Sequence, residues 1–317
     1  MRAEFDLIAK YFTKPTPNAD LGVGDDAALI RVSAGSQLAI STDMSAVGTH
    51  FYADCAPEDI GWKSLAVNIS DMAAMGAQPK WMTLAIALPK QNPVWLSAFA
   101  EGFFACAQEF GVELIGGDTT RGPLNIAVQI LGEVPTGKAL LRSGAMVGDD
   151  VWVSGFLGSA ALGLAQLQEK IELPSDVASI CLSALHHPQP RLALGQALLG
   201  VANSCIDISD GLAGDLGHIL RASGVSAELD LLALPCIPFV STALDLPMMQ
   251  QFVLAGGDDY ELCFTAPAEQ SAHIQSIGDS LGLPLTRIGH IASGTGLNVM
   301  YQNKTLSLKA EGYDHFG

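Results

Sequence analysis

The segment 57–76 constrains the fold most, because it combines the punctuation of a helix with a charge that is costly to bury. It opens with a proline and two acids and closes with a glycine, the residues expected at the two ends of a helix. Asn68 and Asp71 are three residues apart and share one helical face. A carboxylate among Ile, Met and Ala side chains needs positive charge against it or exposure to water. Because no Lys or Arg lies between Ser64 and Gln78, a metal ion competes with an ordinary exposed acid as the explanation.

The overall charge bears on what such an acid could bind. The chain has 33 Asp and Glu against 16 Lys and Arg, a formal net charge of -17. This balance argues against nucleic acid and against an anionic membrane surface as partners, since both require basic patches. A phosphate-containing ligand would need added cations, which is a first indication of divalent metal.

Length and composition indicate two hydrophobic cores, and the cysteine spacing indicates a protein of a reducing compartment. A chain of 317 residues with 49% hydrophobic content is long enough for two domains. Its six cysteines show no short paired spacing, so neither a zinc site nor a disulfide framework is expected. No secretory signal and no membrane-spanning run is visible, so we expect a cytoplasmic protein.

Strand-like and helix-like segments alternate in both halves, which predicts an α/β or α+β fold. A strand at Leu38–Ile40 is expected to end in Ser41-Thr42-Asp43, and a strand at 112–115 to run into a Gly116–Thr120 turn. Glycine-containing loops around residues 135–150 mark a boundary. We therefore expect domains at 1–142 and 143–317.

Aspartates recur where predicted strands end or in glycine turns. They are Asp25, Asp26, Asp43, Asp118, Asp207, Asp210, Asp258 and Asp259, with Asp71 on its helix. Carboxylates clustered at strand ends suit hard cations such as Mg²⁺, and adjacent glycines let backbone N–H groups approach phosphate oxygens. Simple turn chemistry is the favoured explanation of any one of these positions taken alone. Taken together they indicate metal and phosphate.

Two other glycine patterns do not match a nucleotide motif. The run Gly132–Lys138 has phosphate-loop spacing, but Ala139 stands where a Ser or Thr would bind Mg²⁺. The glycines between Gly155 and Gly163 lack the dinucleotide-binding spacing.

Seven motifs together resemble the thiamine-monophosphate kinase family of the aminoimidazole-ribotide-synthetase-like superfamily, in that family's order. They are Gly22-Val23-Gly24-Asp25-Asp26-Ala27-Ala28, Ser41-Thr42-Asp43 with His50-Phe51, Asn68 to Ala77, Gly116-Gly117-Asp118-Thr119-Thr120, Arg142-Ser143-Gly144-Ala145, Ile206 to Leu212, and Gly312-Tyr313-Asp314-His315-Phe316. The blocks around Asp71 and Asp118 are shared across the superfamily. The combination of His50-Phe51 with the terminal Tyr313 run is more specific.

The resemblance implies an activity and its ligands. It implies transfer of the γ-phosphate of ATP to thiamine monophosphate, giving thiamine diphosphate and ADP, the last step of thiamine diphosphate biosynthesis. It implies several Mg²⁺ ions on Asp26, Ser41, Thr42, Asp43, Asp71, Asp118, Asp207 and Asp210. Because the attacking phosphate oxygen is already ionised near neutral pH, no catalytic general base is expected. Asp71 would bridge several ions, with Asn68 supporting it from the same helical face.

The resemblance also implies the remaining site residues and the assembly. ATP would contact Gly117, Asp118, Arg142 and Ser209, and thiamine monophosphate would contact His50, Asp258 and Tyr313. The family usually has Glu where this chain has Asp258, so the acid there is one methylene shorter. A two-domain chain is implied, with N-terminal strands forming a dimer barrel in a homodimer and a C-terminal α/β domain.

Two alternatives stay open from the residues themselves. Another superfamily member, such as aminoimidazole-ribotide synthetase or selenophosphate synthetase, would share the acids. The latter would be favoured by a reactive Cys in an N-terminal glycine loop, yet no Cys precedes Cys55. A binding scaffold without catalysis would have lost some of the six aspartates at the implied Mg²⁺ positions, and all six are present.

Overall fold

The computed structural model describes residues 6–302 and 304–306. They form two compact units: the described residues up to Met72 with Ala77–Gly137, and Ala73–Gly76 with the described residues from Lys138 onward. Each unit combines helices with a β-sheet, so the predicted α/β or α+β class is confirmed. No helix within the described ranges is long and apolar enough to cross a membrane.

The first unit is built on a four-stranded sheet. Its elements are β1 (Ser36–Ala46), α1 (Pro57–Ala74), β2 (Gln78–Leu88), α2 (Pro93–Phe110), β3 (Glu113–Arg121) and β4 (Asn125–Pro135). The strand order is β1-β4-β2-β3; β4 pairs antiparallel with β1 and β2, and β2 pairs parallel with β3. The crossover from β2 to β3 runs through α2, as a parallel pair requires.

Helices α1 and α2 approach each other closely at two glycines. A Cβ on Gly102 would lie 1.9 Å from the Glu58 carbonyl oxygen, and one on Gly61 would lie 2.2 Å from the Phe99 carbonyl oxygen. Helix α1 begins at Pro57 as predicted, and Gly76 follows its end with a φ of 65°. The sequence prediction of this helix is confirmed at both ends.

Two strands are longer than the sequence indicates. Strand β1 continues through Ser41-Thr42-Asp43 to Ala46, and β3 continues through Gly116–Thr120 to Arg121. The predicted strand ends were wrong because the polar and glycine residues there stay paired, β1 with β4 and β3 with β2. Ladder pairing satisfies the backbone groups of these residues whatever their side chains. Asp43 and Asp118 therefore lie within strands rather than in turns.

The second unit has a seven-stranded sheet in the order β11-β10-β7-β9-β5-β8-β6. Its strands are β5 (Asp149–Ser154), β6 (Ser204–Asp207), β7 (Ser226–Asp230), β8 (Leu262–Pro267), β9 (Leu285–Ala292), β10 (Gly296–Tyr301) and β11 (Lys304–Thr305). Its helices are α3 (Ser159–Leu167), α4 (Ser175–His186), α5 (Leu192–Ala197), α6 (Leu212–Ser223), α7 (Pro238–Ala243), α8 (Leu246–Leu254) and α9 (Ser271–Leu281).

Apolar side chains cover both faces of this second sheet. On β5, Val151 and Val153 belong to one buried cluster and Trp152, between them, belongs to the other. Successive residues of a strand point to opposite faces, so the two clusters lie on opposite sides of the sheet. At its edge, β6 ends at Asp207, which leads through a short loop into α6.

Candidate active site

Strand β1 and helix α1 bring a group of polar side chains together in the first unit. The Ser41 hydroxyl donates a hydrogen bond to Asp71, and the Asp43 backbone N–H donates to the Asn68 amide oxygen at 3.2 Å. The Asn68 amide nitrogen in turn donates to the Ser64 carbonyl oxygen at 3.0 Å. The predicted shared face of Asn68 and Asp71 is therefore the face that meets β1.

Two carboxylates of this group are close enough to repel each other. The pKa of Asp43 is raised to about 6, first by burial and then by the negative charge of Asp71. A like charge nearby disfavours ionisation, whereas a cation between the two carboxylates would reverse that effect. The side-chain atoms of Ser41, Asp43 and Asp71 that could bind a cation are all oxygens, which suits Mg²⁺.

Thr42 stands apart from its two neighbours. Because it lies between Ser41 and Asp43 on one strand, its side chain points to the opposite face of the sheet. Its hydroxyl oxygen accepts a hydrogen bond from the Gln129 side chain at 3.3 Å.

A cavity of 560 Å³ in the first unit brings together the glycine and aspartate loops predicted from the sequence. Asp25 and Asp26 line it from one loop, and Gly117 and Asp118 line it from β3. Apolar side chains, including Phe12, complete the lining. Such a cavity offers both an apolar wall and acids that can hold a cation.

The backbone at the cavity wall depends on glycine. Gly117 has a φ of 150°, and a Cβ there would lie 1.9 Å from the Leu84 carbonyl oxygen. Only a residue without a side chain lets β3 approach β2 this closely. The ladder also places Gly117 in one row with Leu84, Val128 and Asp43. Asp43 and Gly117 are thus three strand spacings apart, about 14 Å.

The loop that carries Asp26 is held from its N-terminal side. The Glu113 carboxylate accepts hydrogen bonds from the Asn18 backbone N–H, at 3.0 and 3.1 Å, and from the Asn18 side chain. The Trp81 indole N–H donates to the Asn18 carbonyl oxygen at 3.0 Å. These anchors fix the chain a few residues before the loop.

His50 follows β1 in a tight turn. Its Nδ1 accepts a hydrogen bond from the Ala46 backbone N–H at 3.1 Å, and its own backbone N–H donates to the Ala46 carbonyl oxygen at 3.0 Å. With Nδ1 acting as an acceptor, the neutral ring carries its proton on Nε2, where it can serve as a donor.

The second unit holds a further acidic loop between β6 and α6. Asp207 is buried at the end of β6. Asp215 in the first turn of α6 accepts hydrogen bonds from the backbone N–H groups of Ser209 and Asp210, each at 3.0 Å. Burial, as the largest cause, raises the pKa of Asp215 to about 7. Asp215 thereby fixes the loop that presents Ser209 and Asp210.

Arg142 and Asp210 are both near His218 on α6. The pKa of His218 is lowered by burial first and then by the charges of Arg221 and Arg142, while the charge of Asp210 acts in the opposite direction. An arginine beside this loop offers the fixed positive charge that phosphate oxygens prefer.

Asp258 lies against the same loop of the second unit. Its backbone N–H donates to the Ser209 carbonyl oxygen at 2.8 Å. The second unit therefore brings Asp258 together with Ser209 and Asp210. Tyr313, the last predicted site residue, lies outside the described residues.

Comparison with known proteins places the chain in a family. Residues 24–134 match the model of the AIR synthase related protein N-terminal domain, and residues 137–302 match that of the C-terminal domain. Thiamine-monophosphate kinase of Salmonella typhimurium is 43% identical over 318 residues, covering 99% of this chain and 98% of that protein. The chain belongs to the thiamine-monophosphate kinase family.

Solved structures of thiamine-monophosphate kinases agree with that membership. The crystal structure of the enzyme from Stenotrophomonas maltophilia K279a matches with a TM-score of 0.85 at 44% identity, covering 95% of this chain and 96% of that one. AaThiL complexed with AMPPCP and TMP matches with a TM-score of 0.78 at 28% identity, covering 98% and 96%. The resemblance drawn from the seven motifs is thereby confirmed.

Sequence reasoning missed several residues that hold the loops of the predicted site residues. Asn18, Glu113 and Trp81 hold one loop, and Asp215 holds another. The only signal for Asp215 was an acid in the first turn of a predicted helix, which is typical of many helices. The anchors of Asn18 are far apart in sequence and carried no local signal.

Proposed function

We propose that this chain transfers the γ-phosphate of ATP to thiamine monophosphate, giving thiamine diphosphate and ADP. The single observation that carries the proposal is its 43% identity over nearly its whole length to a protein named thiamine-monophosphate kinase. The match to AaThiL, complexed with AMPPCP and TMP, supports ATP and thiamine monophosphate as the two ligands. The reaction would be the last step of thiamine diphosphate biosynthesis.

We further propose that Mg²⁺ ions bind oxygen ligands in the first unit and oxygen ligands in the second. The proposed ligands are Asp26, Ser41, Thr42, Asp43, Asp71, Asp118, Asp207 and Asp210. Because the Thr42 side chain points to the opposite face of the sheet, Thr42 would have to contribute its backbone oxygen. The raised pKa of Asp43 beside Asp71 supports this, because two half-buried carboxylates that repel each other suit a cation. When bound, the ions would neutralise phosphate charge and help to align donor and acceptor for in-line transfer.

The chain's own residues would bind and orient the two substrates. Gly117, with Asp118, offers close backbone approach to the nucleotide, and Arg142 and Ser209 offer a cation and a hydroxyl to its phosphates. His50, Asp258 and Tyr313 would contact thiamine monophosphate, His50 as an Nε2–H donor. Since the acceptor phosphate is ionised near neutral pH, no side chain needs to remove a proton.

Residues 1–142 would then form the metal-binding, ATP-binding and dimerisation domain, and residues 143–317 the C-terminal α/β domain. We propose a homodimer built on the sheet of the first unit. On β1, Ile40 and Met44 point to the same face as Thr42 and are 57% and 59% exposed. Large apolar side chains exposed in a row along a strand suit burial against another copy.

The function is tested by ADP release across a small set of acceptors. With Mg²⁺ and ATP, thiamine monophosphate should support turnover, while free thiamine and water should not. Addition of EDTA should stop the reaction. Equal turnover with free thiamine, or none with the monophosphate, contradicts the proposed function.

The metal proposal predicts a change in stability that does not depend on activity. In EDTA near pH 7.5, Asp43→Asn should raise the melting temperature by about 2–4 °C, the shift produced by about 1 kcal/mol in a domain of this size. The reason is that the amide removes one of two like charges. Mg²⁺ should then stabilise the variant less than the wild type. A variant that melts lower in EDTA, or gains as much from Mg²⁺, contradicts the metal site.

The homodimer is tested by mass in solution. Met44→Asp should convert a dimer into a monomer in light scattering, because the new charge would be buried in the interface. Leu232→Asp is a matched control, since Leu232 is 60% exposed in the second unit and should leave the dimer intact. A monomeric wild type, or a dimeric Met44→Asp variant, contradicts the proposal.

A further inference from the structure

The loop between α8 and β8 has an unusual backbone. Asp258 and Tyr260 have φ values of 68° and 49°, and only four non-glycine residues in the described ranges have a positive φ. Residues with side chains adopt this left-handed conformation at a cost in free energy, which the surrounding structure must offset. The contacts that hold the Asp258 backbone in this conformation therefore decide where its carboxylate points.

The backbone of the loop is bound to the acidic loop after β6. The Asp258 and Tyr260 N–H groups donate to the carbonyl oxygens of Ser209 and Ile208, each at 2.8 Å. The Ile208 N–H donates to the Glu261 carbonyl oxygen at 2.8 Å. The Tyr260 hydroxyl donates to Asp258 Oδ1 at 3.2 Å and so orients its carboxylate.

The side chain of Asp259, between the two left-handed residues, points into the second unit. Both oxygens of the Asp259 carboxylate accept hydrogen bonds from the Gly158 backbone N–H, at 3.0 and 2.9 Å. Gly158 immediately precedes the nine-residue helix α3. Asp259 thus places acceptor oxygens at the N-terminus of a helix, where free N–H groups need partners. Its burial, as the largest cause, raises the pKa of the carboxyl well above the ordinary value.

The next acid in the run is anchored by side chains rather than by a helix N-terminus. Glu261 is buried and accepts hydrogen bonds from the Ser154 hydroxyl and from Arg191 Nε, the latter at 2.7 Å, with a second bond from the same guanidinium. A Cβ on Gly155 would overlap this carboxylate. Asp259 and Glu261 are therefore both held by hydrogen bonds within the second unit. They fix the short segment that begins with Asp258, the proposed substrate contact.

We infer that Asp259 is a positioning residue for the acceptor substrate. It does so by fixing the strained Asp258–Tyr260 backbone to the start of α3, which aims the Asp258 carboxylate. The inference rests on the proposed function, because Asp258 is a proposed contact of thiamine monophosphate. The Asp259 carboxylate is hydrogen-bonded to the start of α3, so Asp259 acts on the substrate only through Asp258.

The test is a double-variant cycle on Asp258 and Asp259. Asp259→Ala should raise the KM for thiamine monophosphate about tenfold, since loss of orientation weakens one charged contact, while the KM for ATP should stay within about twofold. Added to Asp258→Ala, the same change should raise the acceptor KM no further, because there is no carboxylate left to aim. Asp259→Asn keeps one acceptor oxygen and should have an intermediate effect, which provides the test if the alanine variant fails to fold.

A matched control separates positioning from general loss of a helix cap. Asp245 accepts a hydrogen bond from the Met248 N–H at 2.9 Å at the start of α8. Asp245→Ala removes the same kind of contact from the same unit and should leave both KM values unchanged. Equal rises in both KM values for the Asp259 variants, fully additive effects, or no effect overturn the inference. Absence of any product with thiamine monophosphate in the wild type would instead contradict the proposed function.

Discussion

Asp71→Asn should lower kcat by about 10²–10³-fold, the size of effect seen when one preorganised electrostatic contact to a transition state is removed. The variant should stay folded and lose no stability in EDTA. Asp71 stands beside Asp43 and accepts a hydrogen bond from Ser41, a contact that an amide oxygen can retain. Only the charge that would hold Mg²⁺ is removed. Steady-state ADP release and a melting curve measure both parts of the prediction.

A matched change on the same helix serves as the control. Glu58→Gln also converts an acid to an amide on α1, but Glu58 is exposed in the first turn. It should leave kcat within about twofold, because loss of a charge near a helix N-terminus costs about 0.3–1 kcal/mol of stability and touches no substrate. Near-normal turnover in Asp71→Asn would show that Asp71 does not hold a metal ion.

Gly117→Ala is expected to have the second large effect. The new Cβ would overlap the Leu84 carbonyl oxygen at 1.9 Å, so β3 must move away from β2. Since Gly117 lines the cavity with Asp118, we expect at least a tenfold loss of ATP affinity, about 1.4 kcal/mol. Calorimetric titration with ATP and Mg²⁺ measures the loss.

The control for this change isolates the clash from backbone strain. Gly35 also has a positive φ, 82°, but no atom lies within 4 Å of a Cβ built there. Gly35→Ala should cost about 1 kcal/mol of stability through the left-handed backbone alone and leave ATP affinity intact. If the two alanine variants bind ATP equally well, close approach at Gly117 is not required for the nucleotide site.

The sequence predicted helix α1 and its polar face well, for local reasons. A proline and acids at one end and Gly76 at the other are signals read within one segment, and the spacing of Asn68 and Asp71 follows from helical geometry. The family resemblance implied one metal site for Ser41 and Asp71, but the hydrogen bond between them could not be derived from the residues alone, because it depends on how strand β1 lies against α1. Such contacts between distant parts of the chain carry no local pattern.

The predicted ends of strands β1 and β3 were wrong for a related reason. Ser41–Asp43 and Gly116–Thr120 have turn-like composition, yet both stay in the sheet because neighbouring strands pair with them. Local propensity was overridden by long-range hydrogen bonding. The family motifs identified the acids that are proposed to bind metal and substrate. They did not identify Asp215 and Asp259 as residues that hold loops, since that role is visible only from the backbone N–H groups that donate hydrogen bonds to them.

The most direct measurement follows the phosphorus atoms themselves. Phosphorus NMR of the protein with ATP, Mg²⁺ and thiamine monophosphate should show the γ-phosphate and monophosphate signals decline together. ADP and the diphosphate of the thiamine product should appear in equal amounts, with no rise in inorganic phosphate. ADP that accumulates with inorganic phosphate while the monophosphate signal stays constant would contradict direct transfer and, with it, the proposed function.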